Sequence, residues 1–231
     1  MRHSFAGLRR NPYSVLLLTA LAVCLCLFSI KEIRLYSRFA DLQYSASQIE
    51  KGRPVELTAL ERLIGDTYKL DIENVCHSTF VKSFLTVLLA SLDTSDQKLD
   101  YEKWFEALSR TEKFLRHALI CLPTDGNLWA RYAMVRQASA EQPEEIHRLI
   151  SLSQRYSPAE ENAIIARYFL YNRLTDASLV EVSAELGKDL EILCLPSSGT
   201  LRGTIRPPKP RLLKMMAQLA PSCPVLFTVK T

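Results

Sequence analysis

The feature that most constrains this chain is an uncharged stretch near its amino terminus. Residues 12–30 contain no Asp, Glu, Lys or Arg, and from Val15 onward almost every side chain is apolar. As a helix this stretch would be about 28 Å long, which approaches the ~30 Å hydrocarbon core of a bilayer. Apolar residues on every side of a helix are typical of a membrane span. The sequence therefore predicts a transmembrane helix over residues 12–39, in which 12–30 contact lipid and the rest is a juxtamembrane extension.

Basic residues flank this span on both sides. Three arginines precede it and three basic residues follow it, so the positive-inside rule is nearly balanced. A short basic head before the first apolar run resembles an uncleaved signal anchor, which predicts residues 1–11 in the cytoplasm and the carboxy-terminal part on the other side of the membrane. No small-residue cleavage site follows the run, and bulky side chains precede Cys24 and Cys26. We therefore expect a single-pass membrane protein rather than a cleaved signal peptide or a lipoprotein.

Charge is distributed unevenly along the chain. The net charge of +4 combines basic ends, +5 over residues 1–40 and +6 over residues 192–231, with −7 over residues 41–191. The acidic body argues against nucleic-acid binding. The chain has only 7 glycines and contains no P-loop, G-x-G-x-x-G, G-x-S-x-G or H-E-x-x-H motif. The sequence thus predicts no catalytic residue, no cofactor and no metal ligand, and we expect a protein that is not an enzyme.

The hydrophobic pattern divides the rest of the chain into three parts. Residues 40–56 are mixed and polar, with a Gly-Arg-Pro break, and are predicted to be a linker. Residues 57–193 carry successive helical patterns, including one long helix over Ile72–Leu92, with Pro, Asp or Ser at the boundaries. No window shows convincing alternation of β-branched residues. The predicted fold is all-α: a transmembrane helix, a body of antiparallel helical hairpins and a carboxy-terminal arm.

One junction in the body is especially well marked. An apolar helical pattern ends at Pro123, which cannot continue the helix, and Thr124 or Asp125 can cap the next one. Trp129 and Tyr132 fall on one side of that second helix. The two helices should therefore fold back on each other as an αα-hairpin, with Pro123 and Trp129 as the structural residues of the turn.

This junction resembles the tetratricopeptide repeat family, which places a small residue and then Pro at a helix end, followed six residues later by Trp. The residues that fit those positions are Ala118, Pro123, Trp129, Tyr132 and Ala133. The layout of the chain is also similar to short, single-span bacterial periplasmic proteins with such domains, found near surface-polysaccharide assembly genes. The resemblance covers about 50 residues and implies stacked helical hairpins that bind a protein partner.

Four cysteines lie beyond the span, and in an oxidising compartment they allow three disulfide pairings. We favour Cys76–Cys121, which would tie two helices together, and Cys194–Cys223, which would fasten the carboxy-terminal arm. A zinc site formed with His77 and His117 is an alternative, although neighbouring Cys76 and His77 would point about 100° apart on a helix. Unpaired buried cysteines are a third alternative.

A run of aromatic and basic side chains gives the body a candidate interaction surface. Arg167, Tyr168, Tyr171 and Arg173 fall within one predicted helix. They could line a concave groove that binds a sugar or a peptide. The alternative is that the aromatic rings pack between helices.

Residues 194–231 are predicted to form a basic, Pro-rich arm. Its Pro-rich centre favours an extended polyproline II conformation, followed by a short helix over Leu212–Leu219 and a strand over Val225–Val229. The candidate contact residues are Arg206, Lys209 and Arg211. The arm would either pack on the acidic body or dock a partner protein, an anionic polysaccharide or lipid headgroups.

Together these features predict a non-enzymatic, membrane-anchored periplasmic scaffold. Residues 12–30 would sit in the lipid bilayer, and the resemblance implies a membrane-protein partner such as a polysaccharide polymerase, ligase or export component. The alternative function is an accessory protein that binds a glycan or metal directly in a helical groove.

Overall fold

The computed structural model of the chain describes residues 12–95, 97–221 and 223, and within them the regular structure is helical, without strands. The predicted all-α class is therefore confirmed for this part of the chain. The basic head 1–11 and the strand predicted over Val225–Val229 lie outside the described residues. The helices are α1 (Pro12–Arg38), α2 (Ala40–Glu50), α3 (Leu57–Lys69), α4 (Ser78–Thr94), α5 (Tyr101–Cys121), α6 (Gly126–Ser139), α7 (Pro143–Tyr156), α8 (Glu161–Tyr171), α9 (Asp176–Glu181), α10 (Ser183–Leu193), α11 (Gly199–Thr204) and α12 (Pro210–Leu219).

Helix α1 is long enough and apolar enough to cross a membrane. Its large side chains are exposed: Leu17 is 71% and Phe28 is 62% accessible. The two hydroxyl groups within its apolar part bond to carbonyls of the same helix, Thr19 to Val15 at 2.6 Å and Ser29 to Leu25 at 2.8 Å. Because these hydroxyls are satisfied internally, they cost little in lipid.

Helix α1 continues into the body through a bend at Phe39. The Phe39 ring is 1% exposed and lies 4.8 Å from the ring of Phe80 on α4, centroid to centroid. One turn earlier, Tyr36 meets Phe80 edge-on at 5.1 Å and His77 at 5.6 Å. Arg38 donates to the carbonyl of Leu70 at 2.9 Å. Packed aromatic rings and a hydrogen bond therefore fix the end of α1 on the body, and the joint is not a flexible hinge.

The prediction of a linker over residues 40–56 is wrong for the first eleven of these residues. These form α2, which packs along α4 and buries Leu42 and Ala46. Phe39, Leu42 and Ala46 recur at the i, i+3, i+7 spacing of a helix face, although the residues between them are polar. Only residues 51–56 connect α2 to α3.

The long helix predicted over Ile72–Leu92 is also interrupted. A single 3₁₀ turn covers Ile72–Asn74, Val75 and His77 have extended backbone, and α4 begins at Ser78. Cys76 and His77 thus lie in a connection, and the helix geometry used against a zinc site does not apply to them.

Two apolar clusters share helix α6. The first is built from α2 to α6 and includes Phe39, Leu60, Phe84, Phe114 and Leu128. The second is built from α6 to α12 and includes Ile146, Ile164, Tyr171, Leu186 and Met216. Trp129 and Tyr132 of α6 contact both clusters. Helix α6 is therefore the element that joins the two halves of the body.

The turn before α6 is tightly fixed. The Asp125 carboxylate accepts two backbone N–H groups of the first turn of α6, at 3.0 and 3.2 Å. The Trp129 indole donates to the carbonyl of Pro123 at 2.8 Å. Gly126 lies against α7, where an added Cβ would come within 2.5 Å of Ser157 Cβ, so this close approach requires glycine.

The carboxy-terminal segment is not the extended arm that its prolines predict. Between Pro196 and Leu219 it forms a 3₁₀ turn and helices α11 and α12, and only residues 205–209 are extended. Leu201, Leu212 and Met216 are buried in the second cluster. The Tyr168 hydroxyl donates to the carbonyl of Arg206 at 3.1 Å, which fixes the extended part on α8. In the described residues, the segment packs on the body.

Both favoured cysteine pairs lie at disulfide bonding distance. The Cα atoms of Cys76 and Cys121 are 5.1 Å apart, and those of Cys194 and Cys223 are 5.6 Å apart. The first pair joins the connection before α4 to the end of α5, beside the aromatic rings that hold α1. Closing loops of 45 and 29 residues stabilises the fold by about 4 kcal/mol each in the chain-entropy description.

Replacing Phe39 by alanine should destabilise the body by about 3 kcal/mol, because a fully buried ring is removed from the first cluster. Tyr44→Ala on the same helix is the matched control, since Tyr44 is 67% exposed and should cost less than about 0.5 kcal/mol. Denaturant unfolding of the full chain in detergent micelles measures both free energies. Equal effects would contradict the burial of Phe39.

Counting reactive thiols tests the two disulfides. The full chain unfolded without reductant should show only the thiols of Cys24 and Cys26, and complete reduction should expose all 6 cysteines. Four or more reactive thiols before reduction would show that at least one pair does not form.

Candidate functional site

The candidate site is a groove of about 920 Å³ that runs between α4 and α6. The connection from α2 to α3 forms one edge, and the residues around Glu160 form the other. Leu85, Leu89 and Leu128 give it apolar walls. Across it, Lys82 pairs with the helix-capping Asp125 at 2.6 Å.

The groove continues into a second depression of about 790 Å³ at the carboxyl ends of α4 and α6. Asp93 and Thr94 line both parts. The second part is mainly polar, and its other lining residues are Leu92, Ser95, Gln97, Trp104, Gln137, Ala138, Arg173 and Lys209. Since the two parts share a wall, we treat them as one continuous surface.

Several positive charges act on the carboxylate of Asp93, where the two parts meet. Asp93 has its carboxylate open to the groove, and partial burial raises its pKa, while the charges of Arg173, Arg131 and Arg206 lower it. We call Arg131, Arg173, Arg206 and Lys209, together with Asp93, the basic groove. Within this set of described residues, four cations outnumber one carboxylate, so the net charge of the set is positive.

Arg131 is the most unusual member of the basic groove. It is partly buried in the groove wall, and this burial lowers its pKa while the charge of Asp93 acts in the opposite direction. Among the residues that the structure describes, its guanidinium has no hydrogen-bond or ion-pair partner within bonding distance; Asp93 acts on it from farther away. A guanidinium presents five N–H donors, so Arg131 can still donate to a ligand in the groove.

Asn127 stands one helical turn before Arg131 on α6 and also lines the groove. Its side-chain oxygen Oδ1 is buried and has no hydrogen-bond donor among the described residues. The groove thus offers a guanidinium that lacks an acceptor and an amide oxygen that lacks a donor. This arrangement can bind a ligand with an anionic group and a nearby hydroxyl or N–H.

Three residues of the predicted interaction surface are not exposed. Arg167, Tyr168 and Tyr171 are 0–1% accessible, because α8 is enclosed by neighbouring helices. The prediction that they form a binding surface is therefore wrong, and their alternative role in helix packing applies.

Arg167 is instead the centre of a buried polar network. It donates two hydrogen bonds to Asp189, both at 2.7 Å, and one to Ser153 Oγ at 3.1 Å. Burial alone would lower the pKa of Arg167, but its hydrogen bonds and ion pair with Asp189 raise it. The Tyr171 hydroxyl also donates to Asp189, at 3.0 Å, and burial is the main reason that its pKa is raised well above the usual value. This network fixes α7, α8 and α10 on one another.

The remaining predicted surface residues divide into two groups. Arg173 and Lys209 line the groove, and Arg206 acts on Asp93 while its guanidinium lies 5.9 Å from the centre of the Phe169 ring. Arg211 lies elsewhere, where it donates to the carbonyl of Leu174 at 2.7 Å and pairs with Asp176.

Sequence reasoning missed Lys82, Asp93, Asn127 and Arg131. The i, i+4 spacing of Asn127 and Arg131 in the sequence indicates that they share a helix face. The sequence does not indicate that they approach Asp93 and the carboxy-terminal segment, because these lie more than thirty residues away along the chain.

The cysteine pair Cys76–Cys121 has one histidine beside it. His117 Nε2 lies 3.5 Å from Cys121 Sγ and 3.2 Å from the carbonyl of Val75, and the ligand atoms of this group fall within 4.8 Å of one another. In the disulfide both sulfur atoms are bonded to each other and neither is a thiolate, the form that binds metal. His77, the other histidine considered for zinc, packs against Phe80 at 4.6 Å.

Comparison with known proteins found no family model, curated protein or solved structure that matches this chain.

Proposed function

We propose that this protein is a non-enzymatic, single-pass module of the bacterial inner membrane. Its periplasmic helical body would hold a membrane-protein partner that works in cell-surface polysaccharide or envelope assembly. The exposed apolar surface of α1 supports the membrane anchor. Two cysteine pairs at bonding distance are compatible with an oxidising compartment such as the periplasm.

The observation that carries the proposal is the direct connection between span and groove. Helix α1 passes through the buried Phe39 into α2, and the residues that follow α2 (Glu50, Gly52 and Arg53) form an edge of the groove. The helical rise from Ile30 to Glu50 is at most about 30 Å. The groove is thereby presented close to the bilayer surface in a set orientation, as an adaptor for a membrane complex requires.

The proposed role in surface-polysaccharide assembly is based on the resemblance of the chain's layout, and of the junction around Pro123, to tetratricopeptide-like periplasmic proteins. The geometry adds a reason that this module binds rather than catalyses: the most unusual groups of the groove, Arg131 and Asn127, are suited to holding a ligand by hydrogen bonds and charge. A partner held there would gain a high local concentration at the membrane.

Photo-crosslinking in intact cells tests this function. A photo-reactive amino acid at Leu89, in the groove wall, should capture one membrane protein in stoichiometric yield. The same residue at Glu191, exposed on α10, is the control and should capture none or a different set.

The compartment is checked in the same cells with a carboxy-terminal alkaline phosphatase fusion. Activity of the fusion is expected for a periplasmic body. An inactive phosphatase fusion, together with a fluorescent cytoplasmic reporter fusion, would contradict the proposed orientation. No capture from Leu89 in an active fusion would contradict the adaptor role.

A further inference from the structure

The basic groove has a candidate anion site at Arg131. This residue lines the groove and is partly buried, and no carboxylate or carbonyl of the described residues accepts its N–H donors, while Asp93 contributes only a more distant charge. Elsewhere in the body a buried arginine is paired: two of the hydrogen bonds that Arg167 donates go to the carboxylate of Asp189. A carboxylate supplied by a ligand would give Arg131 the two-point contact that Arg167 already has.

The second unsatisfied group, Asn127 Oδ1, specifies what should stand beside that carboxylate. This oxygen is buried and can only accept a hydrogen bond. It lies one turn of α6 from Arg131 on the same helix face. A ligand that satisfies both groups carries a hydrogen-bond donor next to its acidic group.

Charge along the groove places the anionic ligand at one end. Near Asp125 and Glu160, carboxylates balance Lys82 and Arg53. At the other end the charged side chains among the described lining residues are Arg173, Lys209 and Asp93, and the charges of Arg131 and Arg206 also act on Asp93. The net positive potential is therefore concentrated toward the carboxyl ends of α4 and α6, where it attracts an anion.

The chemistry of the lining at that end distinguishes a glycan from a peptide. A bound peptide normally uses apolar pockets for some of its side chains. The walls here are instead built mainly from hydroxyl, amide and charged side chains, with Trp104 as an aromatic surface; the uncharged polar ones are Thr94, Ser95, Gln97 and Gln137. Such groups match the many hydroxyls of a sugar, and an aromatic face can pack against the apolar face of a sugar ring.

We propose that the basic groove binds an acidic glycan, with a sugar carboxylate on Arg131 and an adjacent hydroxyl on Asn127. Arg173, Arg206 and Lys209 supply the remaining positive charge, and the amide and hydroxyl side chains bond to neighbouring sugar hydroxyls. This site rests on the proposed function for its compartment, since the groove meets such a glycan only if it faces the periplasm. The polymer would then occupy the polar end of the groove, while the apolar wall around Leu85 and Leu89 contacts the protein partner.

Calorimetric titration of the full chain in nanodiscs of zwitterionic phosphatidylcholine tests this site. The probes are an oligogalacturonate, a neutral malto-oligosaccharide of the same length, and an oligoglutamate peptide of matched charge. The oligogalacturonate should bind, with an affinity that falls as salt is raised, and the neutral sugar should not. The oligoglutamate should bind at least about tenfold more weakly than the oligogalacturonate, because it lacks the hydroxyls.

Single substitutions identify the residues. Arg131→Gln should weaken oligogalacturonate binding about tenfold or more, since a charge-assisted contact is lost. Arg173→Gln, at an exposed position, should weaken it several-fold without affecting folding. Arg148→Gln is the matched control, because Arg148 is exposed on α7 away from the groove, and it should leave the affinity unchanged.

Several outcomes would overturn the inference. Oligoglutamate binding as tightly as oligogalacturonate, with the same loss in Arg173→Gln, would make the groove a peptide site. An absence of oligogalacturonate binding by the wild type, or equal losses in Arg173→Gln and Arg148→Gln, would also sink it. If Arg131→Gln does not fold, the affinity of Arg173→Gln for the oligogalacturonate alone decides whether the groove is the binding site. Because crosslinking from Leu89 is measured separately, capture of a partner without glycan binding would overturn this site and leave the adaptor role standing.

Discussion

The structure depends on the burial of Phe39 between helix α1 and the body. A transmembrane helix that ended in a flexible linker would leave the body free to turn above the bilayer. Here Phe39 packs on Phe80, Tyr36 meets Phe80 and His77, and the Cys76–Cys121 pair fixes the connection that carries His77. The end of α1 and the first apolar cluster are thereby one packed unit, and the position of the groove relative to α1 follows from it.

Helix α6 transmits that constraint to the rest of the chain. Trp129 and Tyr132 contact both apolar clusters, and the close approach at Gly126 sets α6 against α7. The same helix carries Asn127 and Arg131 into the groove. The element that joins the two halves of the body is thus also the one that presents the unsatisfied groups, so its packing determines the geometry of the candidate site.

What could be predicted from the sequence was local or covalent. The apolar run is contiguous, and four cysteines beyond the span left only three pairings, of which the favoured one lies at bonding distance. The sequence predicts a linker where α2 lies, because polar residues obscure the spacing of Phe39, Leu42 and Ala46. It predicts Arg167 at the surface, because the partner of Arg167, Asp189, lies 22 positions away. It does not predict the groove for the same reason, since the charges of Arg131 and Arg206 act on Asp93 only in the folded chain.

A spin-label distance measurement across the joint tests the central claim most directly. In a Cys24→Ser, Cys26→Ser background, labels at Leu18→Cys on α1 and Ser109→Cys on α5 report the position of the body relative to the span in nanodiscs. A narrow distance distribution is predicted, and it should broaden strongly when Gly-Ser is inserted between Arg38 and Phe39. A distribution that is already as broad without the insertion would contradict the account, because the body would then move freely on its anchor.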